Sequence, residues 1–220
     1  KDDLGYFLKN KLVNIDNVAI IRGSGADIKK FIPVEECIGI PIVMLASRML
    51  WDKGVGEFVN AAKTLKQKGI RARFVLVGDS DPENPASISN TQLSEWHELG
   101  IVEWWGERSN MCEVLTQAHI VCLPSYREGL PKVLLEAASC SRPIIATDVP
   151  GCREIVHNGK NGILVPIKNS NSLTNAIKEL IDNPEKRKSM GVNGRRLVES
   201  EFSEEIVVSQ TLKVYQELLA

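Results

Sequence analysis

No stretch of this sequence is apolar for long enough to cross a membrane. Its longest apolar run, Ile40 to Ala46, is interrupted by Pro41 and ended by Ser47 and Arg48, well short of the roughly 20 residues a spanning helix needs. Neither sign of charge is in excess. The 27 Lys and Arg against 28 Asp and Glu leave a net charge of −1, which argues against a nucleic-acid binder and makes any positive site a local one. The 5 cysteines, Cys37, Cys112, Cys122, Cys140 and Cys152, are odd in number and widely spaced, and none form a Cys-x-x-Cys pair. That pattern indicates neither a disulfide framework nor a zinc site, and a reducing compartment is the plain reading. His97, His119 and His157 are scattered over a polar segment, the start of an apolar run and a helix end, so no catalytic histidine emerges. Repeats and low-complexity tracts are missing too. What is present, 220 residues with 43% hydrophobic and 25% charged, is the composition of an ordinary globular α/β domain.

Residues 1–16 carry a weak helical pattern, and Val18 to Ile21 reads as a short buried strand. From Ile40 a regular alternation begins. Apolar runs at Ile42–Ala46, Arg73–Gly78, Ile101–Trp105, His119–Pro124, Pro143–Thr147 and Gly162–Val165 have strand length. Amphipathic or polar segments with helical spacing lie between them, at Gly54–Lys68, Ser89–Leu99, Met111–Gln117, from Gly129 onward, and near Arg153–His157. Strands without polar alternation belong to a parallel sheet covered on both faces. The predicted fold is therefore α/β, a doubly wound Rossmann-like parallel sheet of about six strands. It ends in a helical tail over Ser172–Asp182, Pro184–Ser200 and Ser203–Leu219. The trio Trp96, Trp104 and Trp105 reads as core packing.

Open parallel sheets bind ligands at the carboxyl ends of their strands, and the polar punctuation clusters there. Arg48 and Lys53 flank the first strand-to-helix corner, where a guanidinium fork and an ammonium together suit a diphosphate. Residues 125–136, Ser-Tyr-Arg-Glu-Gly-Leu-Pro-Lys-Val-Leu-Leu-Glu, form another such corner. Here Glu128 stands just before a helix start and Glu136 two turns into it, bracketing free N–H groups that attract anions. Apolar neighbours surround Glu136, so its carboxylate needs a specific donor, and ribose hydroxyls would supply one. A ligand with hydroxyls on either side of its phosphates, such as a nucleotide sugar, fits this pattern. Asp79-Ser80-Asp81 spells an Asp-x-Asp that can hold a metal, but Pro82 and Pro85 beside it favour a turn.

These stretches resemble the donor-binding half of the retaining family-4 glycosyltransferases, which have the two-domain GT-B fold. The residues that carry the likeness are Ile21 to Asp27 with Phe31, Ala46 to Leu50 with Asp52-Lys53-Gly54, Val77-Gly78-Asp79, the Glu-x7-Glu signature from Glu128 to Glu136, Pro143 to Gly151, Arg153 to Val156, and Asn161-Gly162. The resemblance implies that Arg48 and Lys53 bind the diphosphate, Glu128 the donor sugar hydroxyls and Glu136 the ribose. It also implies that the backbone at Gly129, Leu130, Pro131 and Lys132 faces sugar and phosphates, that Gly78 lies at the second strand end, and that the loop from Gly106 through Glu107 to Met111 contacts the base. Glu128, Arg48 and Lys53 are then the catalytic group. No metal or other cofactor is implied, since the nucleotide diphosphate sugar is a substrate.

The subgroup it most resembles builds bacterial capsule, O-antigen or lipid-linked glycans. The expected setting is the cytoplasm, with the full-length protein at the inner membrane face and no nucleic-acid partner. The chain opens on Lys1 in a polar stretch, and we expect it to be a piece of a longer protein. In this reading residues 1–16 are a tail of the missing N-terminal half, 17–200 the nucleotide-sugar domain, and 201–220 a helix that packs back on the missing half. That half would supply the sugar or lipid-linked acceptor, and the piece alone would be inactive. A nucleotide-sugar epimerase of the same fold and a non-catalytic nucleotide-binding module are the alternatives.

Overall fold

A computed structural model describes residues 2–219. After a short helix, α1 (Asp2–Lys9), the chain runs irregularly to the first strand, β1 (Ile42–Ala46). It then alternates α2 (Val55–Gln67), β2 (Arg73–Val77), α3 (Asn90–Glu98), β3 (Glu103–Trp104), α4 (Met111–Gln117), β4 (Ile120–Leu123), α5 (Lys132–Ser139), β5 (Ile144–Thr147), α6 (Pro150–Ile155) and β6 (Gly162–Val165). Helices α7 (Ser170–Asp182), α8 (Pro184–Leu197) and α9 (Glu204–Leu219) complete it. The strands form one parallel sheet in the order β3-β2-β1-β4-β5-β6. The winding reverses between β1 and β4, so a crevice opens at their carboxyl ends.

The unbroken apolar runs have a simple cause. Alternate residues of β1 enter different cores: Met44 packs with Val121, Leu134 and Leu135 on one face, and Val43 and Leu45 pack with Phe58, Phe74 and Leu65 on the other. With both faces covered, the interior strand positions are apolar, and polar side chains stand only at strand ends, as Arg73, Glu103 and Thr147 do. The tryptophans pack on these cores as expected, Trp96 and Trp104 on one and Trp105 on the other. No helix among the described residues is long and apolar enough to cross a membrane.

Three expectations need correction. Val18–Ile21 is not a strand: the sheet ends at β3 and β6, and Ile20 and Ile21 are 47% and 37% exposed. The helix read near Arg153–His157 instead begins at Pro150 and ends at Ile155, because proline opens a helix without needing a donor. Helix α5 begins at Lys132 with Pro131 as its cap, so Glu136 lies one turn into it rather than two.

His119 fastens the connector that precedes β1. Its Nδ1 accepts the Ile42 N–H at 3.1 Å and its Nε2 meets the Cys37 carbonyl at 2.9 Å, which fixes a neutral ring with the proton on Nε2. Burial holds its pKa below the usual 6.5. Below pH 6.5 the unfolded chain takes up a proton that folded His119 refuses, so stability falls as pH drops from 6.5 toward the lowered value. Thermal melts between pH 7.5 and 5.5 should show this decline, and His119→Asn should flatten it.

Candidate functional site

The two corners that the sequence marks are fastened to each other. After β1 the chain makes a single 3-10 turn, Trp51–Lys53, and enters α2 through Gly54. The carbonyl of Asp52 in that turn accepts the Tyr126 N–H at 2.8 Å and the Ser125 hydroxyl at 3.3 Å from the corner after β4. Tyr126 Oη donates to Glu57 Oε1 on α2 at 2.7 Å, and Lys168 Nζ lies 4.9 Å from the Tyr126 ring centre. Burial, with Glu57 beside it, pushes the Tyr126 phenol up to about 12, so it stays a donor. The Thr147 hydroxyl donates to the Ser125 carbonyl from β5. Behind the loop, a Cβ on Gly151 would lie 2.1 Å from the Gly129 carbonyl oxygen and 2.5 Å from that of Glu128. Only glycine lets α6 back the loop this closely.

Within this frame Lys53 Nζ and Glu128 Oε1 meet at 2.7 Å, their side chains 20% and 11% exposed. Two residues assigned separate tasks from the sequence, phosphate and sugar, thus form one ion pair. Arg48, at 62% exposure, is paired with Asp81 at 2.8 Å. Both candidate phosphate cations already have a carboxylate partner.

Arg48, Gly78, Glu107, Met111 and Glu136 line one cleft of about 670 Å³, together with Asp79, Asp81, Glu83, Arg108 and Val133. The strand-end rule thus brought residues from position 48 to position 136 into one place. The wall near Glu107 is held by its N–H donating to Asp79 Oδ1 at 3.2 Å. Glu136 faces the cleft half-buried, and its carboxylate takes no hydrogen bond or ion pair among the described residues. Burial raises its pKa above the usual 4.5 against the pull of Lys132 and Lys30. Next to it, Lys132 and Val133 open α5 without a side-chain cap, their N–H groups lacking intrahelical acceptors.

Gly129 and Leu130 turn to a second cavity, of about 470 Å³, bounded by Ile20, Ile21, Arg22 and Ile206. Pro131 is buried and Lys132 exposed. Among the described residues no group of three His, Cys, Asp or Glu side chains converges as a metal site. Asp79 and Asp81 serve different partners. The sequence reading missed the Tyr126–Glu57, Arg48–Asp81 and Lys53–Glu128 contacts. Gly151 entered the sequence reading as the end of the resembling stretch Pro143 to Gly151, without a role of its own.

The chain matches known proteins along most of its length. Residues 38–197 fit the model of the glycosyl transferases group 1 family. An N,N'-diacetylbacillosaminyl-diphospho-undecaprenol alpha-1,3-N-acetylgalactosaminyltransferase of Campylobacter jejuni is 33% identical over 226 aligned residues, which cover 97% of this chain and 58% of that protein. A capsular polysaccharide biosynthesis glycosyltransferase of Staphylococcus aureus, CapM, is 26% identical over 179, covering 81% of this chain and 46% of that protein. The chain therefore spans about half the length of these relatives. Sucrose-phosphate synthase from Thermosynechococcus elongatus superposes with a TM-score of 0.85 at 25% identity, over 100% of this chain and 57% of that one. An Anabaena protein, HepE, solved with UDP, superposes with a TM-score of 0.78 at 21% identity, over 88% of this chain and 56% of that one. By the residues matched to the family model and to the C. jejuni relative, the chain belongs to the glycosyl transferases group 1 family.

Proposed function

We propose that this chain is the donor-binding half of a glycosyltransferase that moves a sugar, with retention of configuration, from a nucleotide diphosphate to an acceptor in surface-polysaccharide or lipid-linked glycan synthesis. The observation that carries the reading is Glu136, a carboxylate without a partner among the described residues, half-buried in a cleft beside the open N–H groups of α5. A ribose diol would give that carboxylate its missing donors, and the neighbouring N–H groups and Arg48 would take the phosphates.

As the bond from sugar to diphosphate breaks, negative charge grows on the leaving phosphate. Lys53 and the α5 N-terminus offer donors fixed in advance for it, and Arg48 on the cleft rim can reach it. Glu128, held by Lys53, presents its second oxygen to the sugar hydroxyls. The acceptor, and the other groups near the reacting carbon, belong to a further domain of the full-length protein. Exposed apolar side chains on residues 6–21 and on α9, among them Tyr6, Leu12, Leu212 and Tyr215, are the kind of surface such a domain covers. The names of the relatives favour transfer over epimerisation or simple binding. The C. jejuni relative's undecaprenol-linked acceptor suits a lipid-linked acceptor and peripheral membrane association here.

Titration calorimetry with UDP and GDP tests the donor site, and anomeric NMR of the product formed by the full-length protein tests retention. Absence of binding to both nucleotides refutes the reading. A further expectation concerns Glu136→Gln. A carboxylate whose pKa is raised by folding favours the folded state below pH 4.5, and that contribution is lost as pH rises through the raised value. At pH 7 the ionised group therefore opposes folding. The amide variant should melt at a higher temperature without ligand, yet bind UDP or GDP about 3- to 10-fold more weakly through loss of charged hydrogen bonds. Thermal shift with and without nucleotide reads both changes.

A further inference from the structure

The Asp79-Ser80-Asp81 stretch does two separate jobs, and the second has no part in the function derived so far. Asp81 Oδ2 holds Arg48 Nη1 at 2.8 Å, and the two partners differ in freedom. The Asp81 backbone is pinned at both ends: its N–H donates to Ser87 Oγ at 2.9 Å and its carbonyl accepts the Asn84 N–H at 2.8 Å. The loop that carries it is stitched to the segment after Arg48 through Trp51 N–H to Ala86 O at 2.8 Å and Ile88 N–H to Met49 O at 2.9 Å. Arg48, by contrast, has a long, largely exposed side chain on the cleft rim. One partner is a fixed post and the other an arm that can swing.

We propose that Asp81 sets the affinity of the donor site. It holds Arg48 as a counter-ion, yields it to an arriving diphosphate, and takes it back as the nucleotide diphosphate leaves. The proposal rests on the donor-site reading above. Its logic is an exchange of anions. A phosphate that gains Arg48 displaces a carboxylate, which then stands beside it as a like charge, so the net gain is only the difference between the two contacts. Glu83, Glu107 and Glu136 line the same cleft and outnumber its other cation, Arg108, so they add to the repulsion. For a transferase this sign is useful. The nucleotide diphosphate is the leaving product, and release of product limits turnover in many enzymes; a corner with uncompensated cations would retain it.

Asp81→Asn keeps the shape of the side chain and the pinned backbone while removing the charge. Calorimetry with UDP and GDP at low ionic strength should show the variant binding the diphosphate about two- to fivefold more tightly, the range set by an exposed ion pair. Uridine and guanosine, which bring no phosphate to Arg48, should bind unchanged. The gain should shrink in high salt and vanish when Asp81→Asn is combined with Arg48→Ala. Equal or weaker diphosphate binding overturns the proposal, as does the same gain for nucleosides or a gain that persists without Arg48. If Lys53→Ala weakens diphosphate binding while Asp81→Asn leaves it unchanged, the counter-ion role falls and the donor site stands. If neither diphosphate binds any form of the protein, both fall.

Discussion

Lys53→Ala is expected to lower the affinity for UDP or GDP by at least about tenfold and to reduce the melting temperature as well. The two effects have separate origins. Lys53 is the less exposed of the two candidate phosphate cations, its side chain 20% exposed against 62% for Arg48, so solvent screens its interaction with a diphosphate less. A charge-assisted hydrogen bond contributes about 1.5–3 kcal/mol, and the loss of one corresponds to roughly 10- to 150-fold in binding. The variant also strands Glu128, 11% exposed and without its partner at 2.7 Å. Breaking a buried pair from one side costs about 3–5 kcal/mol, and the partial exposure here places the loss toward the lower end of that range. Lys53→Ala combined with Glu128→Gln separates the origins. The neutral amide no longer needs a cation, so most of the melting temperature should return while nucleotide affinity stays low. Unchanged affinity in Lys53→Ala would remove the phosphate assignment, and with it the main electrostatic argument for the site.

That pairing also shows where the limit of sequence reasoning lies. Strands β1, β2, β4, β5 and β6 were legible because burial on both faces leaves each a continuous apolar run. Val18–Ile21 has the same appearance and is no strand, since an apolar run does not say whether a neighbouring strand is there to receive its hydrogen bonds. Instead Ile20 and Ile21 line a cavity against Leu130 and Ile206. At the site, Arg48, Gly78, Glu107, Met111 and Glu136 could be gathered on paper because each follows a strand end or faces one from the next helix, a local property. Which of these charges touch is a different question. Lys53 and Glu128 lie 75 positions apart, and their contact depends on β4 lying next to β1. Tyr126–Glu57 and Arg48–Asp81 are hidden for the same reason. The residue types at such corners signal an anion site, and the sheet order decides which cation meets which carboxylate.

The same dependence gives Gly54→Ala a large expected cost. Gly54 joins the Trp51–Lys53 turn to α2 at φ +73, and a Cβ there would lie 2.1 Å from the carbonyl oxygen of Pro124. Two costs combine. A left-handed conformation costs an L-residue roughly 1–2 kcal/mol. The clash is with backbone at the end of β4, so it is relieved only by moving the 124–128 corner away from Asp52 and Lys53. Gly69 separates the two terms, because it has φ +74 with nothing within 4 Å of its Cβ position. Gly69→Ala should therefore lose only the conformational term, a few degrees of melting temperature, at roughly 2–4 °C per kcal/mol for a chain of this size. Gly54→Ala should lose on the order of 3–5 kcal/mol, among the large values that point mutants reach. Any protein that remains folded should bind UDP or GDP poorly, because Lys53 and Glu128 no longer meet. Equal melting temperatures for the two alanine variants would mean that the Pro124 contact relaxes at little cost. The corner would then be soft, and the Lys53–Glu128 pair could not be fixed in advance for a leaving phosphate.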